Sequence, residues 1–324
     1  RCDEVMRLLE GPWKEAATYE RFCSVLEMRG PVCRTAGEVE DCVWRDRRAV
    51  AAACEEAGCR VAAAGSHPFA RWAEQQVVPS DHYRWVERET VWMGRRLLAF
   101  GLHVHVGVGS AEAAIYVMNE ILRWLYPLLA LSANSPFLEG YRTGLASTRA
   151  HLFASMPRTG PAPPFGSFAD LVALHDKLME TGDIAAPGDL WWSVRPQPPL
   201  GTVEVRIPDL PTDVRRLGAL TAIVQALVAT YQDRFRAGVA RTDVKREYLE
   251  QNHWQAMRRG LAGKIIEPVT GDDLSMREQV ERMLAFAEPK AGLLESEPQL
   301  AFAREMVATG TEAEWQVKRW EALG

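Results

Sequence analysis

No uninterrupted hydrophobic run in these 324 residues reaches the roughly 20 needed to span a bilayer. A basic excess is missing too. Lys and Arg number 38 against 43 Asp and Glu, a formal net charge of −5, so the electrostatic footprint of a nucleic-acid binder is absent. The cysteines number 6, all before residue 60, and none forms a C-x-x-C pair. That leaves no thiolate zinc site, and Cys54 and Cys59, bracketing a helix end, read as buried thiols rather than a disulfide framework. The first residues lack the pattern of a secretory signal, and a reducing cytoplasm is the expected compartment. Neither G-x-x-x-x-G-K-[ST] nor a G-x-G-x-x-G in a strand–helix setting occurs, so a nucleotide would have to be held without a phosphate loop. Internal repeats and low-complexity segments are lacking as well. What remains is an ordinary globular composition, 47% hydrophobic and 25% charged, enough to fill one large domain over residues 1–324.

Two stretches carry patterns that composition does not explain. In Gly101–Gly109, GLHVHVGVG, the residues Leu102, Val104, Val106 and Val108 alternate with His103, His105 and Gly107. This is the period of a strand with one buried face, and it sends both imidazoles from the other face, about 7 Å apart. In Thr202–Asp209, TVEVRIPD, Val203, Val205 and Ile207 take the core side, and Thr202, Glu204 and Arg206 the opposite one.

In chain order, Cys2–Glu10 reads as a helix. Phe22–Met28 reads as a strand with Glu27 on the face of Cys23 and Val25. Residues 36–58 have helical spacing with Gly58 as a stop, and 60–64 form a short strand before a turn carrying His67. As a lone histidine, His67 is as well explained by a structural hydrogen bond as by function. Residues 83–98 and 111–132 are helical, the latter kinked by Pro127, and 168–180 are helical again. Trp191–Arg195 reads as a strand in a hairpin with Thr202–Asp209, which draws Arg195, Glu204 and Arg206 together. From Val214 onward the pattern is helical, with a break at 260–266. Single half-buried strands among helices favour an antiparallel or mixed α+β sheet over a doubly wound one.

Glutamates with one or two histidines, and no thiolates, suit a hard divalent ion such as Mg²⁺ or Mn²⁺. Arginine forks on the same face bind phosphate or carboxylate bidentately, and metal with arginines is the usual equipment for phosphoryl transfer. A competing reading starts from the His-x-His strand, as in barrel-type metal-dependent amidohydrolases. That fold needs further ligands at later strand ends. The later histidines His151, His175 and His253 fall in helical segments, and TVEVRIPD would be left without a role.

The runs GLHVHVG, ALSANSPFLEG, TGLASTR, WWSVRP and GTVEVRIPD, with SVLEMRGPVCRT and AGSHPF upstream and QNHWQAMRRGLAG downstream, resemble the carboxylate–amine ligase family. It is also called the glutamate–cysteine ligase type 2 family. The resemblance covers the chain in order and implies a glutamine-synthetase-like fold: an antiparallel sheet of about six strands, site on the concave face, helices on the convex one. It implies ATP and Mg²⁺ (or Mn²⁺), an acyl-phosphate intermediate, small-molecule carboxylate and amine substrates joined by a γ-glutamyl-type bond, and a homodimer. By position, Glu27, His103 and Glu204 are similar to metal ligands, and His105 lies deeper along the cofactor wall. Arg195 and Arg206 match phosphate-holding arginines, and Arg149 a holder of substrate carboxylate or phosphate.

Two departures accompany the match. The family's acidic GVEEEF-type first strand is absent from the chain as it stands, and Arg142 and Ser193 occupy positions where members commonly carry Asp. Both motivate an alternative, a non-catalytic homologue acting as a binding or assembly subunit.

Overall fold

The computed structural model of the chain describes residues 1–323. Helices α1 (Cys2–Leu8) and α2 (Gly11–Ala16) lead into an antiparallel pair, β1 (Ala17–Tyr19) and β2 (Leu26–Met28). Helix α3 (Ala36–Glu56) begins with a capping box: the Thr35 hydroxyl accepts from the Glu38 amide at 3.2 Å, and the Glu38 carboxylate accepts from the Thr35 amide. Next come α4 (Asp81–Arg95), β3 (Val104–Gly107), α5 (Ala111–Ile121) and α6 (Leu125–Ser132). A 3₁₀ turn at Leu122–Trp124 parts α5 from α6, because Pro127 has no amide hydrogen to give the Arg123 carbonyl.

Then follow the ribbon β4 (Phe137–Leu138) and β5 (Tyr141–Arg142), helix α7 (Thr148–Ala154), β6 (Thr159–Gly160), α8 (Phe168–Glu180), β7 (Trp191–Trp192), β8 (Val194–Gln197) and β9 (Thr202–Val205). The remainder is α9 (Val214–Arg236), α10 (Arg246–Arg259), the hairpin β10 (Lys264–Ile266) and β11 (Asp273–Ser275), then α11 (Met276–Ala287), α12 (Glu297–Thr309) and α13 (Glu312–Leu323). No helix among the described residues is long and apolar enough to cross a membrane.

The functional face is set by one three-stranded antiparallel sheet, ordered β3-β9-β8. Val104 and Val194 both face Val205 across the ladders, and all three, with Val203, are buried. This apolar side packs on α5, buried throughout Ala113–Ile121, and on α9. Each fully buried Val, Leu or Ile there contributes roughly 1.5–3 kcal/mol. The opposite side of the sheet carries His105, Glu204 and Arg195, with Glu204 opposite both of the others.

The mixed helix-and-strand class agrees with expectation, but a single sheet of about six strands does not form. Besides the three-stranded sheet, the described residues form only two-stranded ladders. The 22–28 segment bridges Val77 at Phe22, turns, and forms a ladder only over Leu26–Met28, with β1 as its partner. Residues 60–64 take no regular structure. The 191–195 segment divides at Ser193: Trp191–Trp192 pair in parallel with β6, and only Val194–Gln197 join the sheet. Ladders this short cannot show a period in sequence, so neighbouring strand-like runs look like one sheet. A closed parallel barrel is absent among the described residues, and His151, His175 and His253 lie in α7, α8 and α10, which removes the amidohydrolase reading.

Candidate active site

Glu204 is the hub. It is 2% exposed, and its Oε2 accepts from Arg195 Nε at 2.8 Å and from Gln197 Nε2 at 2.6 Å. Its Oε1 lies 3.7 Å from both His103 Nδ1 and Arg206 Nη1, and His105 Nε2 stands 4.0 Å from Oε2. Burial pushes this carboxyl up, but Arg206, Arg195 and His103 outweigh burial and hold it down at about 2. Glu27, on β2, brings its Oε1 to 4.0 Å from His103 Nδ1. The two patterned strands thus meet at one place, as the alternation implied, and the Glu27 segment joins them there. Thr202 also takes part, at 3.1 Å from His105 Nδ1.

Electrostatically the site joins crowded acids to crowded cations. The Glu27 carboxyl is pushed up by burial and by Glu20, and the Glu20 carboxyl by its own burial. His103 is held well below its ordinary value by burial and then by the Arg206 guanidinium, so at neutral pH it offers a lone pair. Arg206 is 9% exposed, and burial and Arg195 bring it down to about 10. Its guanidinium makes no hydrogen bond among the described residues and lies over the Phe153 ring at 5.8 Å.

The other two arginines are held. Arg195 gives Nη1 to the carbonyls of Gly188 and Leu190, at 2.6 and 2.8 Å, besides its bond to Glu204. Arg149, 3% exposed, gives both Nη groups to the carbonyls of Ile207 and Arg206, at 2.8 and 2.9 Å, and faces Asp209 at 3.8 Å. Its two Nη groups are occupied by backbone and brace the chain carrying Arg206, while its Nε has no partner and the residue lines the smaller cavity. Gly101 makes this approach possible, since a Cβ there would lie 2.2 Å from Arg149 Nη2. His67 is structural, its Nδ1 accepting from the Ala70 amide at 2.9 Å. Arg142 lies away from the hub, paired with Glu321 at 2.7 Å.

Two cavities meet at Arg206, Phe153 and Trp191. The larger, about 140 Å³, extends past Glu20 and Arg21 beneath α4; the smaller, about 30 Å³, reaches Arg149, Ser193 and His253. Glu20, Arg21, Gln197 and Asp209 were not singled out from sequence. Gln197 could have been found by carrying the alternation of Arg195 two residues further, and Asp209 by carrying that of Val203, Val205 and Ile207. Glu20 and Arg21 precede the turn that the strand reading overlooked.

A metal position is not closed by protein alone. Among the described residues no group of three His, Cys, Asp or Glu side chains encloses one. Glu204 Oε1, the neutral His103 and Glu27, whose carboxyl is raised by burial and by Glu20, are nonetheless oxygen and nitrogen donors of the kind a divalent ion takes. Mg²⁺ characteristically takes only one or two carboxylates and completes its shell with water and substrate phosphates.

The site is an antiparallel sheet face that joins carboxylates, a neutral imidazole and an arginine in a mixed α+β protein. The chain belongs to glutamate–cysteine ligase family 2, whose family model matches residues 1–322. It is 36% identical over 324 residues, all of this chain and 86% of the relative, to a protein of Rubrobacter xylanophilus named as a candidate glutamate–cysteine ligase 2-1. It is 39% identical over 264 residues to the glutamate–cysteine ligase of Haloquadratum walsbyi, covering 82% of this chain and 73% of that one. Identity to the glutamate–cysteine ligase of Haloferax volcanii is 39% over 263 residues, 81% of this chain and 74% of the relative.

Proposed function

We propose that this chain is an ATP- and Mg²⁺-dependent ligase that joins a small carboxylate, of the γ-glutamyl type, to an amine through an acyl phosphate. The observation that carries the reading is Arg206, just past β9: buried, its amide bonded to the Ser193 carbonyl, its guanidinium without a hydrogen bond among the described residues and 3.7 Å from Glu204 Oε1. Arg149 gives both Nη groups to backbone carbonyls, whereas the Arg206 guanidinium gives none; a fork left open on an acidic site is placed to receive phosphoryl or acyl-phosphate oxygens.

The bound divalent ion would supply charge neutralisation between phosphate oxygens and the carboxylates of Glu27 and Glu204, with His103 beside them. Arg206 would stabilise the negative charge that develops during transfer. Arg195 and Gln197 fix Glu204 so that the free Oε1 points toward the metal side. Such preorganised electrostatics is the main protein contribution to phosphoryl transfer.

A carboxylate panel incubated with ATP, Mg²⁺ and hydroxylamine tests the reading. ADP release matched by hydroxamate formation, dependent on one carboxylate class, is the expected result. Background ADP release from the full-length native protein with every carboxylate and amine offered would overturn it.

A further inference from the structure

The chemistry proposed for Arg206 needs a fixed fork, yet its guanidinium has no hydrogen bond among the described residues to fix it. A long side chain left to rotate must be ordered when a ligand arrives, and that ordering costs affinity and rate. Glu204 does not orient it: Oε1 stands 3.7 Å away, and Oε2 is taken by Arg195 and Gln197. What lies against the guanidinium is the ring of Phe153, on α7, with Arg206 Cζ 5.8 Å from its centroid. An aromatic face attracts a guanidinium while accepting none of its N–H donors in the plane of the fork. A carboxylate in that place would accept one or two of them and close the fork. Phe153 and Arg206 both line the two cavities where these meet. The Arg206 nitrogens are not sealed off, unlike the unpartnered Nε and Nη2 of Arg21.

The same ring lies 5.1 Å from Arg149 Cζ. Arg149 does not depend on it for orientation, because its Nη groups sit on two backbone carbonyls. Removing the ring should therefore loosen Arg206 and leave Arg149 in place. The helix that presents Phe153 is itself anchored. Ser147 caps its first turn, accepting from the Ala150 amide at 3.1 Å, and gives its hydroxyl to Asp209 at 2.8 Å.

We propose that Phe153 is a positioning residue: its ring face holds the Arg206 guanidinium in orientation, with its donors free, before the phosphoryl group arrives. The effect on turnover rests on the ligase reading; the ring's support of an anion-binding Arg206 does not.

A double-mutant cycle tests it. Phe153→Leu keeps apolar bulk and removes the aromatic face, Phe153→Tyr keeps the face, and each is made in wild type and in Arg206→Met. The readouts are kcat and KM for hydroxamate formation, and calorimetric titration with inorganic phosphate in the absence of ATP. Phe153→Leu should lower kcat and phosphate affinity about tenfold, the scale of one desolvated cation–π contact, with little change in the carboxylate KM. Phe153→Tyr should restore both to within about threefold of wild type. In Arg206→Met, adding Phe153→Leu should change kcat less than about twofold, because the side chain it orients is gone. An equal loss in both backgrounds would reveal a general packing defect and overturn the proposal. So would a Phe153→Tyr as impaired as Phe153→Leu. Normal turnover in wild type with no loss in Phe153→Leu would remove the role of Phe153 and leave the ligase reading standing. No turnover with any carboxylate, but phosphate binding that Arg206→Met abolishes and Phe153→Leu weakens, would do the reverse. A wild type that neither turns over nor binds phosphate would overturn both.

Discussion

Around Asp209, the oxygens have donors. The Asn134 amide and the Ser135 hydroxyl give to Oδ2 at 2.9 and 2.7 Å, the Ser147 hydroxyl gives to Oδ1 at 2.8 Å, and Arg149 stands 3.8 Å away. Gly65 lies against this knot so closely that a Cβ would come within 2.7 Å of the carboxylate. A few residues back along the same run of chain, Arg206 is buried with its fork open, and beyond it Arg21 is open too. Both regions contain buried charge, and both contain arginine. Burial of charge is therefore common to both regions; what differs is how far the carboxylate oxygens and guanidinium groups are matched by partners. A network with its donors and acceptors matched rigidifies the fold, whereas one with open donors is costly unless something else completes it.

Breaking the satisfied side should cost stability. Asp209→Ala leaves Arg149 buried without a counter-charge and removes the acceptor for two hydroxyls and an amide. Loss of one member of a buried pair costs about 3–5 kcal/mol. Denaturant unfolding should register that loss, and a variant as stable as wild type would show that the knot is not structural.

Breaking the open side should cost chemistry. Arg206→Met should lower turnover at least about a hundredfold, the scale of one preorganised electrostatic group at ~2.7–4 kcal/mol. Its melting temperature should hold or rise, because burial and Arg195 disfavour the Arg206 charge more than Glu204 supports it. Steady-state kinetics and thermal melts on one preparation separate the two effects; a large drop in melting temperature with normal turnover would invert the comparison. Glu204→Gln belongs between these extremes. Its Oε2 side is satisfied and its Oε1 side open, so turnover should fall by a similar factor while stability falls by about 1–3 kcal/mol from the weakened Arg195 and Gln197 bonds.

The open side was the more legible of the two in sequence. Period-two alternation is strong where one sheet face is buried, and in HVHV and TVEVR it placed His103, His105, Glu204 and Arg206 together, with Arg195 brought in by the hairpin. The satisfied side was not legible. Whether a buried arginine meets a phosphate or two backbone carbonyls depends on chain crossings such as Arg149 under residues 206–207, and no local pattern encodes them. Sheet size was overestimated for a related reason: runs such as 22–28 have strand composition, yet a turn consumes half their length.

Glu267 offers a third, remote case on which the distinction can be sharpened. It is fully buried and satisfied: Arg123 Nε gives to Oε1 at 2.6 Å, and the amides of Val269 and Thr270 give to Oε2 at 2.9 and 2.6 Å. Burial pushes its carboxyl up, but the Thr270 amide, the Arg123 guanidinium and the Val269 amide outweigh burial and leave it below the ordinary 4.5. Asp209 goes the other way, since its complete burial outweighs Arg149 and the donors and raises it above 3.8. The signs therefore oppose. A depressed carboxyl contributes stability that is present above its unfolded value and is lost as pH falls through the folded one; a raised carboxyl gains as pH falls. Acid weakening of the fold below about pH 4.5 should then draw on Glu267 and not on Asp209. Glu267→Gln should be less stable than wild type at pH 7, with a shallower decline of melting temperature between pH 4.5 and 3, and unaltered KM for every substrate. An acid limb as steep in the variant as in wild type would show that the Arg123–Glu267 bonds do not respond to protonation. A changed KM would show that a satisfied site can also serve function, and the rule drawn from Asp209 and Arg206 would fail.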